Sequence, residues 1–225
     1  MAINYKVGNF QLNTSLGPQS VTGLGFQPKA LVFFHQPSTV GIGVPQIANW
    51  YHSIGFADAS SNYYMWTFEP NGNSGLESAF YSQDDTYSIF AGNNASTYWF
   101  ARVTSLDGDG FTIQIDQAPP LGYMVGYMAL GGADLDVHVG EFNGSTSAGN
   151  QAITGVGFQP TAVMIHSQAH STWAVPPVIS GATSYQTFGF SDGTNDRSSQ
   201  FSLRDGSIST YVSYRSQSNT NIIQH

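Results

Sequence analysis

Apolar and polar residues alternate with a period of two over much of this chain. In "DLDVHVGEF", Leu135, Val137 and Val139 fall on one face while Asp136, His138 and Glu141 fall on the other, given a bend near Gly140. That pattern predicts a half-buried strand. "GFTIQI" alternates in the same way, and the "DGDG" before it reads as a hairpin turn. "ALVFF" and "AVMI" are short continuous apolar runs, rich in β-branched and aromatic residues, as expected of core strands. "GYMVGYMAL" predicts a further strand, with Gly126 as a bulge. No segment carries a sustained helical period with caps at both ends. Turn signals recur about every 8–12 residues, the spacing of a β-sandwich or jelly roll.

The pattern also repeats. "VGNFQLNTSLGPQSVTGLGFQPKALVFFHQ" begins at Val7 and "VGEFNGSTSAGNQAITGVGFQPTAVMIHSQ" at Val139, an ungapped offset of 132 residues with about half the positions identical. "IGFADASSNYYMWTFEPNG" from Ile54 has a looser echo in "FGFSDGTNDRSSQFSLRDG" from Phe188. A unit of this size is a domain, not a solenoid repeat. The chain therefore reads as all-β, with two tandem β-sandwich, jelly-roll-like domains: a complete copy over 1–133 and a truncated copy over 134–225. The second copy lacks about 30 residues, two to three strands at ordinary length. An open sheet edge is an association hazard, so either the chain continues or a partner covers it.

Within the repeated motif, Gly23 and Gly25 permit positive φ or close packing, Phe26 anchors the turn, and Pro28 is tolerated where a strand begins. Gly155, Gly157, Phe158 and Pro160 repeat these devices, whereas Phe34 gives way to His166. What recurs is turn and core chemistry, which favours a scaffold over an active site.

Composition narrows the partners. Net charge is −8, and six Lys plus Arg cannot neutralise many phosphates, which argues against nucleic acid and anionic membranes. With 40% hydrophobic residues the chain is globular, and its surface is mostly hydroxyl, amide and glycine. Such a surface suits a molecule held in a fixed assembly. There is no cysteine, so disulfides, thiolate nucleophiles and zinc–thiolate sites are excluded. The first residues, "MAINYKVGNF", lack the pattern of a secretory signal, and no apolar run is long enough to span a membrane, so a protein that stays in the cytosol or leaves by lysis is expected.

Candidate chemistry is sparse. Asp134, Asp136 and His138 share the i, i+2, i+4 spacing of a strand face and offer a metal edge, against the simpler reading of a solvated face. Asp107 to Gly110 lacks the further oxygen ligands of a calcium loop and is read as a turn. His166 and His170 have H-x-x-x-H spacing but neither the Glu nor the helix of a zincin, and His35 and His52 have no evident partners. Asp84–Asp85 and Glu69 with Glu77 are the available carboxylate pairs for glycosidase chemistry. No cofactor, metal or catalytic set is expected. The aromatic runs "NYYMWTF" and "STYWF" carry more weight. Alternation places Tyr63, Met65 and Thr67 on one face and Tyr64, Trp66 and Phe68 on the other. Tyr63, Tyr64, Trp66, Tyr98 and Trp99 are thus a candidate surface for a partner or a glycan, or else a core and edge strand.

"TSLGPQSVTGLGFQPKALVFF" and "TSAGNQAITGVGFQPTAVMI", with "LDGDGFTIQI" and "GYMVGYMALGG" downstream, resemble a β-rich module of tailed-bacteriophage virion proteins. The resemblance covers the first copy nearly end to end and the first two-thirds of the second, which departs from it in lacking the D-G-F-T and ALGG segments. It implies a structural protein on the particle surface, made in the host cytoplasm and located in the virion. Its role would be tail- or fibre-associated, in assembly or host contact; capsid decoration and a lectin-like carbohydrate-binding module are the alternatives. Expected partners are other virion proteins, further copies of the chain in a homo-oligomer or symmetric assembly, and a host-surface glycan. The module brings no catalytic residues.

Overall fold

The structure, a computed structural model, describes residues 2–35, 49–70, 79–92, 97–147, 149–168, 174–181, 183–204 and 214–218. Among them there is no helix; fifteen strands run from β1 to β15 in chain order.

The first ten strands are β1 (Asn4–Gln11), β2 (Gly17–Thr22), β3 (Pro28–His35), β4 (Asn49–Asp58), β5 (Asn62–Pro70), β6 (Ala79–Asp84), β7 (Ile89–Gly92), β8 (Tyr98–Asp107), β9 (Gly110–Gln117) and β10 (Met124–Gly131). They form two antiparallel sheets, ordered β1-β10-β3-β4-β5-β6 and β2-β9-β8-β7. Two nested pairings, β1 with β10 and β2 with β9, close the ends of this stretch on themselves; the strands between are meanders. Leu31, Phe33, Tyr64 and Trp66 of the large sheet meet Phe90, Trp99, Phe111 and Ile113 of the small one in a single core. Phe111 is its hub, in edge-to-face contact with Phe10, Phe33 and Tyr127.

The repeated turn is clamped across the sandwich. Gly23 and Gly25 have φ of 87° and 83°, where a Cβ is strained. Their amides both donate to the Asp109 carboxylate, and Leu24 N donates to the Asp109 carbonyl. The "DGDG" hairpin turn is thus where the motif is anchored. Pro28 begins β3 opposite Gly131, beside the ladder's irregularity at Leu130/Gly131. The bulge expected at Gly126 lies there instead; Gly126 sits in regular register between Asn9 and Phe34.

The remaining strands are β11 (Val163–Gln168), β12 (Ala174–Gly181), β13 (Thr183–Ser191), β14 (Asp196–Arg204) and β15 (Tyr214–Ser218). Four of them form a third sheet, β11-β13-β14-β15, while β12 adds to the large sheet at β6, so the sequence boundary at 133/134 is crossed by hydrogen bonds. The third sheet repeats β3-β4-β5-β6 in register. His166↔Phe188 corresponds to Phe34↔Ile54, Phe188↔Ser199 to Ile54↔Met65, and Ser198↔Ser218 to Tyr64↔Asp84. The turn geometry recurs as well, with φ of 88° at Gly155 and 84° at Gly157. So does the Gln19 side-chain clamp on Asn13 N and Gln11 O, rebuilt by Gln151 on Ser145 N and Asn143 O.

"DLDVHVGEF" departs from expectation. Leu135, Val137 and Val139 are half-buried and their neighbours exposed, as the alternation requires, but the segment is not in a ladder. Its counterpart β1 pairs with β10 alone, and no equivalent of β10 exists among the described residues. The segment instead runs beside the large sheet, with Val139 N donating to Asp58 and Lys29 Nζ donating to the Leu135 carbonyl.

The closeness of the two sandwich sheets gives a test. A Cβ at Gly55 would lie 1.7 Å from the Ser88 carbonyl oxygen, whereas one at Gly108 meets open space. Gly55→Ala is expected to destabilise the protein by about 3 kcal/mol in urea titration, and Gly108→Ala to change it by no more than about 0.5 kcal/mol.

Candidate functional site

The two faces of the large sheet do different things, and alternation decides which side chain goes where. On β5, Tyr64 and Trp66 point into the sandwich, 1% and 0% exposed. Tyr64 stacks on Phe90 at 4.6 Å, and Trp66 meets the same ring edge-on. Trp99, also 0% exposed, stacks on Tyr123 and donates from Nε1 to His35 Nε2 at 2.9 Å. Three of the five candidate surface aromatics, Tyr64, Trp66 and Trp99, are therefore core, because the facing sheet brings Phe90 and Tyr123 onto them. Tyr63 and Tyr98 are half-buried, on different sheets. The side chain of Phe68 lies outside the described residues.

The opposite, outer face has two halves. Over β4–β6 it is covered by the third sheet, and a polar cluster fills the junction. His52 Nδ1 donates to Gln186 Oε1 at 3.1 Å, and the Gln186 amide donates in turn to Thr67 Oγ1. Gln168 Nε2 donates to the same hydroxyl at 2.9 Å and to the Trp66 carbonyl. His166 stands perpendicular to His52 with ring centroids 6.0 Å apart. Neither His166 ring nitrogen makes a well-formed hydrogen bond. Burial, and then the neighbouring His52, hold its pKa down at about 3, against a small opposing effect of Gln186. Burial likewise lowers the pKa of His52, opposed by Gln186. Sequence reasoning noted both histidines but not Thr67, Gln168 or Gln186 as their surroundings, because only the stacking of two sheets brings them together.

Over β1 and β10 the outer face is apolar and exposed or half-buried, whereas on β3 Ala30 and Val32 are buried and Phe34 is exposed. Tyr5 and Val7 are 75% and 67% exposed, and Phe34 is 44% exposed. Register places Tyr5 opposite Leu130, Val7 opposite Met128, and Phe34 opposite Gly126, so they form one patch across three strands.

The other candidates have local explanations. His35 is a core residue whose Nδ1 meets the Met124 carbonyl at 3.0 Å, and burial lowers its pKa to about 4. Asp84 is buried, accepts from Thr86 N, and has its pKa raised by burial; Asp85 is exposed. Asp134, Asp136 and His138 face solvent, and Asp134 accepts from Ala2 N. Among the described residues no three His, Asp or Glu side chains are grouped to hold a metal ion. His170 and Glu77, and the side chain of Glu69, lie outside the described residues.

No family model matches the chain, and neither the curated proteins nor the solved structures yield a match.

The buried imidazoles set a pH dependence. Between pH 6.5 and about 4, His35 and His166 take up protons in the unfolded chain but not in the folded one. Stability is therefore full above pH 6.5 and falls on acidification, by up to about 1.4 kcal/mol per pH unit for each group. Replacing His166 with phenylalanine, the residue that β3 carries at the equivalent position, is expected to flatten the acid-side slope by about one group's share. Denaturant melts at a series of pH values measure it.

Proposed function

We propose that this chain is a structural protein on the surface of a tailed-bacteriophage particle, associated with the tail or its fibres and working through assembly or host contact. The observation that carries this reading is the exposure of the apolar side chains Tyr5, Val7 and Phe34 on the outer face of the sandwich. Monomeric soluble proteins rarely leave such a patch bare unless a partner meets it. The sequence motif that resembles virion modules points to what that partner is, namely other virion proteins or further copies of the chain. The hydroxyl- and amide-rich surface, with few charges to repel neighbours, agrees with a fixed place in an assembly.

Duplication belongs to the same proposal. The third sheet follows β3–β6 register for register, which is the outcome expected of a copied unit. A lectin-like role loses its best-placed rings, since Trp66 and Trp99 are enclosed.

The chain should co-purify with intact particles and be located by cryo-electron microscopy on the tail. Its recovery only as free protein, absent from washed particles, overturns the proposal. Quantitative gels separate the two surface roles, because a decoration protein follows the capsid lattice in copy number whereas a tail protein is present in few copies.

A further inference from the structure

In the first stretch, the β9–β10 arch, two successive strands in different sheets, does three jobs at one place. β10 fills the edge of β3 beyond β4, β9 pairs with β2, and Asp109, just before β9, clamps the glycine turn. Phe111 of β9 pairs with Val21 and touches Phe10 and Phe33.

In the second stretch each recipient feature is present, and among the described residues no donor strand meets it. The edge of β11 away from β13 carries no strand among the described residues. Gly155 and Gly157 hold the same turn, with no counterpart of Asp109 upon them among the described residues. Phe142, Ile153 and Val163 occupy the positions of Phe10, Val21 and Leu31; they are 37%, 46% and 39% exposed, whereas Val21 and Leu31 are 8% and 0% exposed.

The inner face is selective about what it keeps. Where β7 covers the large sheet with Phe90, the aromatic pair Tyr64 and Trp66 has become Ser198 and Gln200 in the third sheet. Where β9 covers it and β10 pairs beside it, Val163 and Ile165 remain apolar at the positions of Leu31 and Phe33. The third sheet thus lacks the need for a β7-like strand but retains the need for a β9–β10-like arch.

We propose that β11 and residues 142–147 and 149–158 form an acceptor site for a β-arch of the β9–β10 kind, two successive strands that enter the two facing sheets and do not pair with each other. Its first strand alternates aromatic and β-branched residues and follows a turn with a carboxylate that reaches Gly155 and Gly157. Its second strand adds to β11 and extends the existing sheet, in the register that sets Tyr127 opposite Phe33 and Ala129 opposite Leu31. The analogous residues of the incoming strand then lie opposite Ile165 and Val163. Backbone pairing supplies affinity, and the alternating side chains supply register and specificity. This site is separate from the Tyr5–Val7–Phe34 patch and stands whether or not the chain belongs to a virion.

The test adds a synthetic peptide spanning residues 107–132 to the full chain and follows amide hydrogen exchange. Exchange at 163–168 and 153–158 should slow by about tenfold or more at saturating peptide. Peptides with Phe111→Ser or Asp109→Ala should bind at least about tenfold more weakly, and these changes leave the acceptor's own folding untouched. Val163→Asp in the acceptor should weaken the parent peptide to a similar degree. No protection at about 1 mM peptide, or equal binding by the altered peptides, overturns the proposal. Protection that appears in β1–β3 instead overturns it by showing exchange with the resident β9–β10 arch. Protection of β11 that rises with protein concentration and needs no peptide overturns the arch assignment in favour of a second copy's edge.

Discussion

The fold depends on β10 having a ladder on both edges. It lies between β1 and β3, so the strand that ends the sandwich is held against the one that starts it. A backbone amide or carbonyl in a sheet needs a partner or water, and among the described residues β1 has no strand other than β10 to supply one. Pro28 fits this arrangement because it opens β3 where the β10 ladder becomes irregular, so its missing donor falls at the end of the pairing. Asp109 closes the other side of the same assembly by tying the glycine turn to the β8–β9 hairpin. Alternation, glycine placement and one carboxylate therefore act together, and none of them suffices alone.

The second stretch separates local from non-local chemistry. The glycine turn and the Gln151 clamp form within a few residues of sequence, so closing them costs little chain entropy. Among the described residues they recur without the strands that surround them in the first stretch. Strand structure does not recur at 135–142, because it needs a hydrogen-bonding neighbour distant in sequence. The same alternating pattern thus gives a strand at β1 and an extended unpaired segment here.

This distinction also explains what the sequence made legible. The all-β class, the repeat, the "DGDG" hairpin and the alternation of β5 were all readable, since each is written in local spacing. The burial of Tyr64, Trp66 and Trp99 was not, because alternation assigns side chains to faces without saying which face is covered. On β5 both faces are covered, and Thr67 is as buried as Trp66. The His52–His166 junction was hidden for the same reason, since its members come from β4, β5, β11 and β13 and meet only when sheets stack. The role of Asp109 was likewise beyond spacing arguments, since its partners are 84 and 86 residues away.

The two interfaces of the large sheet differ in kind, and that difference orders their strength. The sandwich side is a continuous apolar core of stacked and edge-to-face rings, whose burial scales with area and tolerates small shifts. The side facing the third sheet is polar at its centre, with two amides converging on the Thr67 hydroxyl and an imidazole beside them that makes no well-formed hydrogen bond. Hydrogen bonds between neutral groups add only about 1 kcal/mol each net of solvation, and they lose that when geometry drifts. The network therefore fixes the orientation of the third sheet more than it holds it down, leaving β12 pairing with β6 as the covalently linked tether. Opening should proceed from the third layer inward, with the sandwich as the last unit to unfold.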